Sequence, residues 1–199
     1  MAHKKGQAAM ELTLAVRSQI YEHFHASEVR ESHFMAPGRR DEFSAYDVSM
    51  LLLQDTGEAV WTHMRRGFPS DSMQAYIDLW GVMQAVQIHQ DAIAELWLSL
   101  QGEKLPRQDG PWSTLRDLRN KCVGHPARRS HGISGLQRVF FGRRFGGYDG
   151  IMFELYDSQD PRVTFPQVRL GNLIREYDAQ AASILGDLLI FMKQKWPPK

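Results

Sequence analysis

Residues 71–101, DSMQAYIDLWGVMQAVQIHQDAIAELWLSLQ, decide the fold. Ser70 or Asp71 suits an N-cap after the turn Gly67-Phe68-Pro69-Ser70. Met73, Ile77, Trp80, Met83, Ile88, Ile93, Leu96 and Trp97 recur at helical intervals and fall on most sides of the helix they predict. Such a helix belongs at the centre of a bundle. Working outward, residues 7–32 carry Leu12, Val16, Ile20 and Phe24 at spacing four, closed by Pro37-Gly38. Residues 41–66 carry Val48, Leu51, Leu52, Ala59 and Met64, with a break expected near Gly57. Downstream, Asp109-Gly110-Pro111 opens a helix over 112–123, and Gly124-His125-Pro126 ends it. The period then shortens toward two, which predicts strands over 136–142, 150–157 and 162–168. Leu173, Ile174, Tyr177, Ala181, Ile184, Leu185, Leu188 and Met192 return to helical spacing over 171–195. The expected fold is mainly α: one domain over 1–199, an antiparallel bundle of five helices. A small three-stranded antiparallel β insertion at 134–168 precedes the last helix.

The chain has 199 residues, 43% apolar and 24% charged, which suits a globular protein and excludes disordered, collagenous and low-complexity chains. The net charge of +1 hides an asymmetry. Residues 1–100 carry 8 Lys and Arg against 13 Asp and Glu, and residues 101–149 carry 10 against 4. A basic middle segment suits phosphate, or the acidic half of its own chain. The single cysteine, Cys122, allows no internal disulfide. With no signal-peptide pattern, a reducing, cytoplasmic compartment is expected. The apolar run Ile184–Met192 holds Asp187 and is too short to span a bilayer, so no membrane role is expected.

The helix over 112–123 breaks its own pattern. With Leu115 at 0° and about 100° per residue, Leu118, Cys122, Trp112 and Val123 form one apolar arc. Arg119 falls inside that arc, with Arg116 and Asn120 at its edge. A guanidinium facing a core is costly unless paired. Arg119 therefore faces either an internal carboxylate or an interface or cleft with an anionic partner. The sequence leaves both open, and the second reading places the arc at a homodimer contact. His125 lies just past the helix end, able to reach the same mouth. An imidazole titrating near neutrality can take the proton from a ribose 2′-OH. A guanidinium can hold the charge growing on the phosphorus-bound oxygens. Together these groups suit RNA cleavage without a metal or other cofactor.

The segment Leu115-Arg116-Asp117-Leu118-Arg119-Asn120-Lys121-Cys122-Val123-Gly124-His125-Pro126 resembles the signature of the HEPN superfamily (higher eukaryote and prokaryote nucleotide-binding). That pattern is an Arg, a polar residue directly after it, and a His with four to six residues between Arg and His; here five residues intervene. Arg17 and His23 share the spacing, but Ser18 follows that Arg. The resemblance implies a compact helical homodimer whose two motifs meet across the dimer axis. It implies a metal-independent endoribonuclease of the toxin or anti-phage kind, with an antitoxin or other regulatory protein as a further partner. Arg119, Asn120 and His125 would be its catalytic set. The cations Arg116, Lys121, Arg128, Arg129, Arg143 and Arg144 are candidates for holding the RNA. An alternative is a catalytically silent HEPN-like module that binds a nucleotide, a nucleic acid or a protein partner.

Other groups read as structural. His23 and His25 point about 200° apart on a helix and cannot share one metal ion. Cys122, on the apolar arc, reads as a small core residue. Arg138, Arg143 and Arg144 are interleaved with Phe140, Phe141 and Phe145. That pattern suits either stacked single-stranded nucleic acid or a hairpin with one apolar and one basic face.

Overall fold

The Asp71 carboxylate accepts the Gln74 N–H at 2.7 Å and starts an unbroken helix, α4 (Ser72–Gln101), that Gly102 ends with φ of 76°. The computed structural model describes residues 9–124 and 137–197. Before α4 come α1 (Glu11–Ala26), α2 (Val29–Phe34) and α3 (Arg40–Arg66), and after it α5 (Pro111–Arg119) and α6 (Leu170–Lys195). A short turn joins α3 to α4, so the two pack side by side as a hairpin. α1 packs on α6 and α3, and α5 packs on α6 and α4.

Where helix boundaries differ from the sequence expectation, packing explains the difference. α3 does not break at Gly57; Leu14 of α1 lies so close that a Cβ there would meet its Cδ2 at 3.1 Å. The segment expected as one helix over 7–32 splits at Ser27, whose hydroxyl accepts the Val29 N–H at 3.2 Å. The split swings Phe34 into an aromatic cluster with Phe24, Tyr46 and Trp196. α2 is thus a sixth helix in an otherwise expected bundle.

α1 has no capping side chain of its own. Asp178 of α6, 2% exposed, supplies one from across the chain. Its carboxylate accepts the Thr13 N–H at 2.9 Å, the Thr13 hydroxyl at 2.5 Å and the Leu12 N–H at 3.2 Å. Ile174, Tyr177, Ala181, Leu185, Leu188 and Met192 of α6 are fully buried, as expected. α4 is less enclosed than its composition suggests. Met73, Ile77 and Trp80 are 54%, 57% and 45% exposed, an apolar stripe on its N-terminal third. No helix among the described residues is long and apolar enough to cross a membrane.

The β insertion forms two small antiparallel sheets rather than one. β1 (Gln137–Phe140), β4 (Glu154–Asp157) and β5 (Asp160–Thr164) make the first, in the order β1-β4-β5. β2 (Gly146–Gly147), β3 (Gly150–Met152) and β6 (Gln167–Val168) make the second, in the order β2-β3-β6. The expected strand over 150–157 divides at Phe153, which is buried and gives its N–H to Pro166 O at 3.3 Å. Pro166 has no N–H to return, so the ladder stops there.

One buried titratable group has a defined effect on stability. His89 of α4 is fully enclosed, with Nδ1 2.7 Å from the Tyr177 hydroxyl, and burial pushes its pKa down to about 3. The unfolded chain binds this proton near pH 6.5, so the folded state loses stability as pH falls from there toward about 3. We expect unfolding free energy measured across that window to fall less steeply in His89→Gln, which keeps a hydrogen-bonding group and does not titrate.

Candidate active site

α5 begins at Gly110, with φ of 71°, and Pro111. Gln180 of α6 pins this start by accepting the Trp112 N–H at 3.0 Å and donating to Asp109 O at 2.8 Å. The apolar arc of α5 is used within the chain. Trp112, Leu115, Leu118 and Cys122 are all buried in its own core. This corrects the expectation that the arc itself packs at a dimer contact.

Arg119 lies at the end of α5, half-buried. Its Nη2 donates to Gln84 Oε1 of α4 at 2.8 Å, and its Nη1 to Asn120 Oδ1 at 3.1 Å. Both acceptors are neutral amides. Among the described residues no carboxylate pairs with Arg119, and its buried Nε has no hydrogen-bond partner. Its neighbour Arg116 does meet a carboxylate, at the surface, reaching Asp91 Oδ1 at 2.5 Å and Gln90 Oε1 at 3.2 Å. Among the described residues Arg119 thus keeps a charge that its neighbours orient without neutralising.

After Arg119 the chain widens into a π-helical turn, Asn120–Gly124. Such turns insert one extra residue into the helical ladder and often mark functional sites. This one keeps Cys122 in the core and leaves Asn120 and Lys121 exposed. It also brings Gly124 against the arginine, where a Cβ would lie 2.8 Å from Arg119 Nη1. Burial pushes the Cys122 thiol pKa up to about 12, which suits packing and not nucleophilic attack.

The expected site residues therefore divide. Arg119 and Asn120 are joined at one locus, with Lys121 next to them. His125, Arg128 and Arg129 lie outside the described residues. Arg143 and Arg144 are exposed on the connection from β1 to β2 and stand elsewhere, beside Ser72 and Ala75 of α4. Ala75 and Gln84 are about 14 Å apart along α4 and about half a turn round it. Of the neighbouring aromatics, Phe141 and Phe145 are core residues, at 2% and 3% exposure, while Phe140 is 56% exposed. The segment thus has a buried apolar side, Phe141 and Phe145, and an exposed side on which Phe140 accompanies Arg138, Arg143 and Arg144.

Two features went unread in the sequence. Gln84 has no local signal, since its partner is 35 residues away. The second is a polar chain through three elements. The Tyr148 hydroxyl donates to His63 Nδ1 at 2.6 Å, and His63 Nε2 donates to Asp78 Oδ2 at 3.1 Å. Arg66 and Gln74 also donate to the Asp78 carboxylate, at 2.6 and 2.8 Å. The Gln74 bond, then those from His63 and Arg66, hold Asp78 below the usual carboxylate range. Burial, then the Asp78 charge, raises the Tyr148 phenol far above its ordinary pKa. Tyr148 is therefore a neutral donor in this chain.

Comparison with family models, curated proteins and solved structures finds no match to this chain.

The two arginines of α5 should differ in stability cost. Arg119→Ala strands no carboxylate and should cost about 1 kcal/mol or less. Arg116→Ala leaves the buried Gln90 Oε1 without its donor and should cost about 1–3 kcal/mol. Thermal unfolding of both variants gives the order; a larger loss for Arg119→Ala would contradict the pairing described.

Proposed function

We propose that the chain is a metal-independent endoribonuclease of HEPN type, acting in the cytoplasm as a toxin or anti-phage effector. The observation that carries this reading is the Arg119 guanidinium, held by the neutral amides of Gln84 and Asn120 beside an exposed polar turn. Its neighbour Arg116 meets the Asp91 carboxylate at the protein surface, whereas no carboxylate among the described residues meets Arg119. A cation kept un-neutralised is available to an external anion, here the scissile phosphate of RNA. His125 takes the ribose 2′-OH proton, and the 2′-oxygen attacks phosphorus. Arg119 holds the charge on the non-bridging oxygens, with Asn120 as a neutral donor or acceptor at its side. The P–O5′ bond breaks and the leaving oxygen takes up a proton, leaving a 2′,3′-cyclic phosphate. Lys121 offers a further phosphate contact.

Assembly follows from the stripe on α4. Met73, Ile77 and Trp80 share a helical face with Gln84, so burying the stripe against a second copy brings two Arg119 groups toward one axis. An antitoxin or other regulatory protein would act by covering the same face.

Cleavage of single-stranded RNA should persist in EDTA and yield 2′,3′-cyclic phosphate ends. His125→Ala should slow it about 10²–10⁴-fold, and Arg119→Ala about 10²–10³-fold. Unchanged cleavage in Arg119→Ala contradicts the proposal. Absent cleavage with nucleotide, RNA or protein binding that Arg119→Ala abolishes assigns the silent-module reading instead.

Light scattering at micromolar concentration should give a dimer. Trp80→Glu should give a folded monomer with reduced cleavage. A monomeric wild-type chain would count against the two-fold arrangement.

A further inference from the structure

Away from Arg119, the turn between α3 and α4 and the connection from β1 to β3 line an open surface pocket of about 750 Å³. That volume lies within the usual range for small-ligand sites, about 300–1,000 Å³. Its walls combine three kinds of group. Arg143 and Arg144 are exposed and form no ion pair among the described residues. Phe68 and Tyr148 supply half-buried rings with centroids 4.8 Å apart and planes tilted by 31°. Asp149 places a carboxylate on the same lining.

The Tyr148 wall is rigid. Its hydroxyl is tied through His63 to Asp78, and its carbonyl accepts the Gly171 N–H at 2.8 Å. A side chain held at both ends loses little freedom on binding, which favours recognition of a flat ring.

The geometry points to a binding site for a free ribonucleoside monophosphate, separate from the Arg119 locus and independent of the ribonuclease reading. Arg143 and Arg144 would hold the phosphate by charge-assisted hydrogen bonds. Phe68 and Tyr148 would contact the base, and Asp149 would accept a ribose hydroxyl.

Titration calorimetry on the full chain tests this with the four ribonucleoside 5′-monophosphates, the matching nucleosides and inorganic phosphate. At least one monophosphate should bind saturably, with its nucleoside and inorganic phosphate each about tenfold weaker or more. The double variant Arg143→Ala/Arg144→Ala, both exposed positions, should fold normally by circular dichroism and lose about tenfold or more in affinity. Binding that the Arg143→Ala/Arg144→Ala variant loses should persist in Arg119→Ala, so failure here is distinct from failure of the cleavage proposal. Absence of saturable binding at millimolar monophosphate overturns the inference, as does undiminished binding in the double variant. A 5′-phosphorylated RNA decamer that binds far more tightly through the same arginines also overturns it, by assigning the pocket to a strand end.

Discussion

The buried carboxylate of Asp178 closes the bundle. It stands on the last helix and takes three donors from the first turn of α1, which lacks a capping side chain of its own. A buried charge is tolerated only when its hydrogen-bonding capacity is filled. Here that requirement fixes the beginning of the chain against its end. Between these two helices the α3–α4 hairpin and α5 find their places, and α5 delivers the arginine at issue.

α4 links the chemistry on both sides of the molecule. From its N-terminus onward, Asp78 receives His63, Arg66 and Gln74; the Tyr76 hydroxyl holds Phe141 O; Gln84 holds Arg119; Gln90 and Asp91 hold Arg116. Because successive residues rotate round the axis, these contacts face different partners, and the Arg119 locus and the pocket fall on different faces.

Most of the fold was legible because periodicity reports burial. The spacings over 41–66, 71–101 and 171–195 placed three long helices, and the change toward period two located the β insertion. Local sequence was weaker where distant packing decided the outcome. Ser27 splits one expected helix because Phe34 joins an aromatic cluster completed by Trp196, far away in the chain. Met73, Ile77 and Trp80 carry core-like side chains yet lie exposed, since composition cannot say which apolar faces find a partner. For the site, the misplaced charge of Arg119 was readable on a helical wheel. That its partners would be amides, with a surface carboxylate meeting Arg116, was not, because Gln84 and Asp91 belong to another helix.

The widened turn after Arg119 also bears on measuring distance by counting residues. In a regular α-helix, each added or deleted residue rotates everything downstream by about 100°. A π turn closes its ladder with i→i+5 hydrogen bonds, so it absorbs one surplus residue locally. Residues 120–124 therefore act as an adjustable joint. One residue can be lost there by reverting to α geometry while Cys122's neighbours in the core retain their positions. Sequence spacing between Arg119 and the segment beyond Gly124 is thus a loose ruler for their separation in space. The steric contact is more local: a Cβ at position 124 would meet Arg119 Nη1 at 2.8 Å, so any larger residue there has to displace the guanidinium from its present place.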